Sequence, residues 1–178
     1  ADPLAPAFPL SASKVLSRLT RKPLGGNGKI AAVLRPCEIR AFIELVKLKQ
    51  GSTEGVVLIG VDCLGAYSNV NYTRFAGEYG PEATRHFVEN VIEGKGAVCQ
   101  DFDLATACQA CTYPIPDNAD LLVGLVGADL RTSCLLKANT PQAEALLDRL
   151  GLPSMPEPED RKKAVSDLIF GHSAYRDR

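Results

Sequence analysis

Two apolar segments, each followed closely by a cysteine, constrain the fold of this 178-residue chain more than any other feature. Residues 30–34 (IAAVL) end three positions before Cys37, and residues 56–61 (VVLIGV) end two positions before Cys63. Continuous apolar runs of this length are typical of parallel strands buried on both faces. Parallel strands end at the same edge of a sheet, where α/β proteins keep their sites. We therefore expect Cys37 and Cys63 to emerge near each other.

The segment between these strands carries a helical pattern. Apolar residues recur with the period of a helix face at Ile39, Phe42, Ile43 and Val46, and Pro36 suits the first turn. Cys37 would then lie in that first turn, where free N–H groups and the helix dipole favour an anion. This position predicts a lowered thiol pKa for Cys37.

The remaining pattern predicts a mixed, partly parallel α/β sheet flanked by helices, with irregular cysteine-bearing loops. Residues 119–127 and 132–137 are interpreted as a hairpin-like pair of strands. Residues 65–80 are interpreted as a loop, which either borders a ligand site or is an ordinary surface loop. Further helices are predicted at residues 11–19, 81–92, 140–150 and 159–170.

Composition limits the classes of function. With 46% hydrophobic residues, 23% charged residues and a net charge of -1, the chain offers no electrostatic case for binding nucleic acid or an anionic membrane. No apolar run approaches the about 18 residues of a membrane span, and the first residues lack a signal-peptide pattern. We expect a cytoplasmic protein with an extended N-terminal segment and short helix (1–28), an α/β core (29–152) and a helical tail (153–178).

The six cysteines are the strongest chemical signal. Cys108 and Cys111 form a C-x2-C pair that could meet Cys37 and Cys63 at one edge, and four thiolates can hold a [4Fe–4S] cluster or a tetrahedral zinc ion. A cluster is favoured because structural zinc sites usually use two short pairs, and this chain has one.

Other uses of the cysteines are less favoured. A thioredoxin-type disulfide is disfavoured because the C-x2-C pair leads into prolines at 114 and 116 instead of opening a helix. Cys134 and Cys99 are interpreted as small buried hydrophobic residues. Cys99 nevertheless competes with Cys63 for the place of fourth ligand, since it precedes Cys108 by only nine positions.

The order of these motifs resembles a known family. Residues 29–137 resemble the beta subunits of deazaflavin-reducing hydrogenases and dehydrogenases, and residues 34–48 are most similar to the formate dehydrogenase branch. The motifs that carry the resemblance are Pro36-Cys37, Asp62-Cys63-Leu64-Gly65, Cys108-x2-Cys111, Ala119-Asp120 and the strand that contains Gly124.

The resemblance implies an oxidoreductase subunit that is an iron–sulfur flavoprotein with a [4Fe–4S] cluster and FAD. Such a subunit passes electrons between the catalytic subunit of a formate dehydrogenase or hydrogenase complex and a soluble carrier, which would be a deazaflavin, NAD or a ferredoxin. Position by position, the resemblance assigns the cluster to Cys37, Cys63, Cys108 and Cys111. Family members often add C-x2-C-x2-C-x3-C repeats that this sequence lacks, which predicts a short or incomplete form. The alternative from another class is a zinc-stabilised interaction module without redox activity.

Overall fold

The computed structural model describes residues 2–8, 10–22, 28–92 and 102–177. The strands in this part of the chain are β1 (Ile30–Leu34), β2 (Val56–Val61), β3 (Leu121–Gly124) and β4 (Leu135–Ala138). The helices are α1 (Ala12–Leu19), α2 (Pro36–Lys47), α3 (Asn69–Tyr79), α4 (Ala83–Ile92), α5 (Thr106–Gln109), α6 (Pro141–Leu150) and α7 (Glu159–Arg176), with a short 3-10 turn (Gly80–Glu82) leading into α4.

The four described strands form one mixed sheet in the order β1-β2-β3-β4. The first three are parallel, with Ile30 opposite Val56 and Ile59 opposite Leu121. The last strand is antiparallel to β3, as expected for a hairpin. The predicted partly parallel sheet with flanking helices is therefore confirmed, and β1 and β2 occupy the residues predicted for them.

Helix α2 packs on one face of the sheet and forms the main core. Its Ile39 and Phe42 are fully buried against Leu34, Leu58 and, from α1, Leu16. Burying an apolar side chain of this size contributes roughly 1.5–3 kcal/mol. This packing fixes the first turn of α2, and so Cys37, relative to the end of β1.

A second core is aromatic and lies beside the sheet. The Tyr67 ring lies 5.1 Å from Phe75 and 5.6 Å from Phe87, measured between centroids, and Phe75 lies 5.5 Å from Phe102. Residues 65–80 are thus not the loop predicted above, because most of them form α3. Phe75 is the one fully buried side chain on that helix. With Tyr72, Ala76 and Tyr79, which pack in the same cluster, it recurs with the period of a helix face, a signal that the loop interpretation overlooked.

The hairpin connection corrects the interpretation of Cys134, which is exposed and not buried. Strand β4 starts at Leu135, later than predicted, because residues 129–133 form a turn. In that turn the Asp129 carbonyl oxygen accepts hydrogen bonds from the amides of Thr132 and Ser133, both at 2.9 Å. Cys134 lies between this turn and the first residue of β4, and its side chain is exposed.

The C-terminal helix α7 docks through a buried ion pair. Arg161 donates from one terminal nitrogen to Asp62 Oδ2 at 2.6 Å and from the other to Oδ1 at 3.2 Å, and the two side chains are 3% and 0% exposed. The apolar residues Val165, Leu168 and Ile169 of this helix are only half-buried. No helix in the described ranges has the length and apolar character needed to cross a membrane.

We expect Arg161→Met to lower the free energy of unfolding by about 3–5 kcal/mol, because it leaves the buried Asp62 carboxylate without its cation. Urea unfolding followed by circular dichroism measures the change. Lys162→Met is the matched control, since its partner Glu159 is exposed, and it should leave the midpoint nearly unchanged. Equal effects of the two substitutions would contradict a structural role for the ion pair.

Candidate functional site

The carboxyl ends of β1 and β2 position the first two predicted ligands. Cys37 lies in the first turn of α2, whose start is fixed by Glu38: one carboxylate oxygen accepts from the Arg35 amide at 3.2 Å and the other from the Ala12 amide at 3.1 Å. Cys63 follows β2, and its amide donates to the carbonyl oxygen of Pro114 at 2.8 Å. The last contact ties the strand end to the loop that carries the C-x2-C pair.

That loop lies along the segment after Cys63. The Ala105 amide donates to the Ala66 carbonyl oxygen at 2.8 Å, and Tyr67 pairs with Leu104 in an antiparallel bridge. Helix α5 then carries Cys108, and Cys111 follows with its amide 3.3 Å from the Cys108 carbonyl oxygen. The structure therefore brings the segments of all four predicted ligands to one edge.

Gly65 allows the close approach of the two segments. It adopts φ +97°, and a β-carbon there would lie 2.6 Å from Leu104 Cδ1. Only glycine adopts such a φ at little cost. A side chain at this position would separate the segment after Cys63 from the loop before Cys108.

The thiols lie close enough to affect one another electrostatically. Burial raises the pKa of the Cys37 thiol, and the negative charges of Glu38, Cys108 and Cys111 raise it further against the lowering effect of Arg35. The lowered pKa that the helix start predicted for Cys37 is thus wrong. Burial is the largest cause, and the charge of Glu38 is the next.

The next two thiols show the same balance. Burial raises the pKa of Cys63 to about 11, against the Gly65 amide and the Arg35 charge, which lower it. Burial also raises the pKa of Cys108, while the Ala66 amide lowers it and the Cys111 charge raises it. Arg35 is the cation that acts on all three thiols.

The thiols are of the right type for a metal group but are not arranged as a preformed metal site. All five cysteines in the described ranges are free, yet no three His, Cys, Asp or Glu side chains within those ranges are grouped closely enough to hold a metal ion. Thiols must lose their protons to bind a metal, and a bound cation offsets the repulsion between the thiolates that result. The donor chemistry and neighbourhood therefore fit a thiolate-binding group. Cys99, the competing ligand, lies outside the described residues.

Sequence reasoning missed the residues that surround the thiols. Arg35 donates to the carbonyl oxygens of Ala7, at 3.1 Å, and of Ala5, and thereby holds the N-terminal segment beside the site. His172 on α7 reaches the Cys111 carbonyl oxygen. The position of Arg35 next to Pro36-Cys37 could have suggested its role, whereas nothing local in the sequence links residue 172 to residue 111.

Comparison with known proteins identifies the family of this chain. Residues 27–151 match the family model for the C terminus of the Coenzyme F420 hydrogenase/dehydrogenase beta subunit. The chain belongs to this family. It is also 24% identical over 180 residues to the F420-dependent formate dehydrogenase 1 subunit beta of Methanococcus maripaludis. That alignment covers 85% of this chain and 46% of the relative, so the chain spans just under half the relative's length.

The family assignment confirms the resemblance found in the sequence. All four predicted ligands lie inside the matched residues 27–151, and α7 lies beyond them. The match therefore relates this chain to the C-terminal part of beta subunits of Coenzyme F420 hydrogenases and dehydrogenases.

We expect Gly65→Ala to lower the free energy of unfolding by about 1–3 kcal/mol, because an alanine is strained at this φ. Gly77→Ala is the matched control: Gly77 lies within α3 with nothing within 4 Å of an added β-carbon, so alanine there should stabilise by about 0.5–1 kcal/mol. Chemical denaturation measures both values. A Gly65→Ala protein as stable as the parent would show that the two segments do not require this conformation.

Proposed function

We propose that this chain is the electron-transfer part of a beta subunit in an F420-dependent formate dehydrogenase or hydrogenase complex. The observation that carries the proposal is that the segments bearing four free cysteines meet at the carboxyl edge of the sheet, inside the residues that match the family. In this proposal Cys37, Cys63, Cys108 and Cys111 hold a [4Fe–4S] cluster.

The proposal includes a second cofactor and two partners. FAD follows from the resemblance, without residues assigned to it. The partners are the catalytic subunit of the complex and a soluble electron carrier, which would be a deazaflavin, NAD or a ferredoxin. We place the complex in the cytoplasm, in keeping with the free thiols, since cytosolic thiols remain reduced.

A [4Fe–4S] cluster supplies one-electron transfer at a potential that depends on hydrogen bonds to sulfur, net charge and solvent exposure. The chain's own residues provide these influences. Backbone amides of Gly65 and Ala66 donate toward Cys63 and Cys108, and the Arg35 charge favours the ionised thiols. Both effects stabilise added negative charge, which favours the reduced state.

Metal analysis tests the proposal directly. Chain purified without oxygen, or reconstituted with iron and sulfide, should contain about four iron atoms and give the electron paramagnetic resonance signal of a reduced [4Fe–4S] cluster. A colourless chain that binds one zinc ion and loses its fold on chelation would instead support the zinc-stabilised interaction module.

Serine replacements assign the ligands. We expect Cys37→Ser, Cys63→Ser, Cys108→Ser and Cys111→Ser each to lose or convert the cluster, because a hydroxyl is a poor substitute for a thiolate. Cys134→Ser is the matched control, since Cys134 is exposed and outside the site, and it should keep the parent's spectrum and iron content. Loss of the cluster in Cys99→Ser, with retention in Cys63→Ser, would assign the fourth ligand to Cys99.

A further inference from the structure

Helix α7 contacts two of the segments that carry the cysteines. Near its start, Arg161 binds Asp62, the residue before Cys63. Eleven residues later, about 16 Å along a helix, His172 Nδ1 lies 2.6 Å from the Cys111 carbonyl oxygen. The helix thus connects the end of β2 to the C-x2-C loop.

These polar contacts hold a helix that has little apolar docking surface. Arg161 is the one buried residue in the helix, while Phe170 is 76% exposed. The chain leaves room for Arg161 with glycines: a β-carbon on Gly124 would lie 2.8 Å from Arg161 Cζ, and one on Gly127 would lie 2.6 Å from its Cα. The helix is therefore fixed in position at its Arg161 end.

The direction of the histidine contact is defined by chemistry. A carbonyl oxygen can only accept a hydrogen bond, so His172 Nδ1 must carry the proton and donate. In metal sites, hydrogen bonds of this kind to the ligand-bearing backbone fix the ligands and tune the metal. Because α7 lies beyond residues 27–151, the family match assigns it no role.

We propose that α7 is a clamp that holds Cys111 in place relative to Cys63, and that His172 is its positioning residue. The ion pair anchors the helix, and the His172 hydrogen bond restrains the C-x2-C loop. The part of this inference that concerns the cluster rests on the proposed function. The restraint on the loop does not, because it acts on the polypeptide alone.

The metal-free 178-residue chain tests the restraint by amide hydrogen exchange at residues 108–116. His172→Leu removes the donor, so exchange there should become roughly three- to tenfold faster, as for loss of one hydrogen bond. His172→Asn keeps an N–H near the Nδ1 position and should restore the parent's rates. Helix propensity alone predicts the opposite order of exchange rates, because leucine favours a helix more than asparagine does. The control His86→Leu changes the other histidine, on α4, and should leave residues 108–116 unaffected.

Equal exchange in the Leu and Asn variants, or no acceleration in either, would overturn the clamp. In iron-loaded chain, His172→Leu should lose iron to a chelator faster than the parent and lower the reduction potential, with His172→Asn restoring both. If the reduction potential of the cluster is the same in His172→Leu as in the parent, the positioning role is overturned and the proposed function stands. If the chain never binds iron but its exchange at residues 108–116 still depends on His172, the clamp is supported and the proposed function is rejected.

Discussion

The buried Asp62–Arg161 pair is the interaction on which the rest of the edge depends. Asp62 Oδ2 also accepts from the amides of Leu125 and Val126, at 2.9 and 3.0 Å, so one carboxylate joins the end of β2, the turn after β3 and helix α7. Two ions in a dry interior are stable only when their remaining hydrogen-bonding groups are also satisfied. Here the amides, the Val126 carbonyl oxygen and Glu157 complete the set. The site is thus built beside a rigid polar centre.

The four cysteines are not held equally firmly. Cys37 lies in the first turn of α2 and Cys63 follows β2, and the main core holds both elements, whereas Cys108 and Cys111 depend on a loop. That loop is held by backbone pairing to residues 63–67 and by the histidine contact from α7. Sites built on strands and helices are more precise than sites on loops. The C-x2-C side is therefore where added restraint has the most to contribute.

Sequence could predict the elements whose packing is periodic and local. Apolar runs predicted β1 and β2. An apolar helical period with a proline at the helix start predicted α2 and α6, and Gly151 marks the end of α6. Helix α3 has a helical period in Tyr72, Phe75, Ala76 and Tyr79, but polar residues between them favoured the loop interpretation. The exposure of Cys134 follows from the local turn at residues 129–133, which the apolar residues after it concealed. The approach of Cys37 and Cys63 followed from parallel topology, whereas the C-x2-C pair reaches the same edge through the contacts of its loop with residues 63–67. The Arg161 and His172 contacts bridge 99 and 61 positions, and no local pattern records such pairings.

The electrostatics of the thiols determine what a bound metal group would have to overcome. Burial, then neighbouring negative charges, raise the pKa of Cys37, and burial raises that of Cys63 to about 11. The amides of Gly65 and Ala66 and the Arg35 charge oppose this only in part. The raised pKa values favour protonated thiols near neutral pH. In the proposed cluster site those protons would have to leave when the metal group binds, so the affinity of the site for that group would depend on pH.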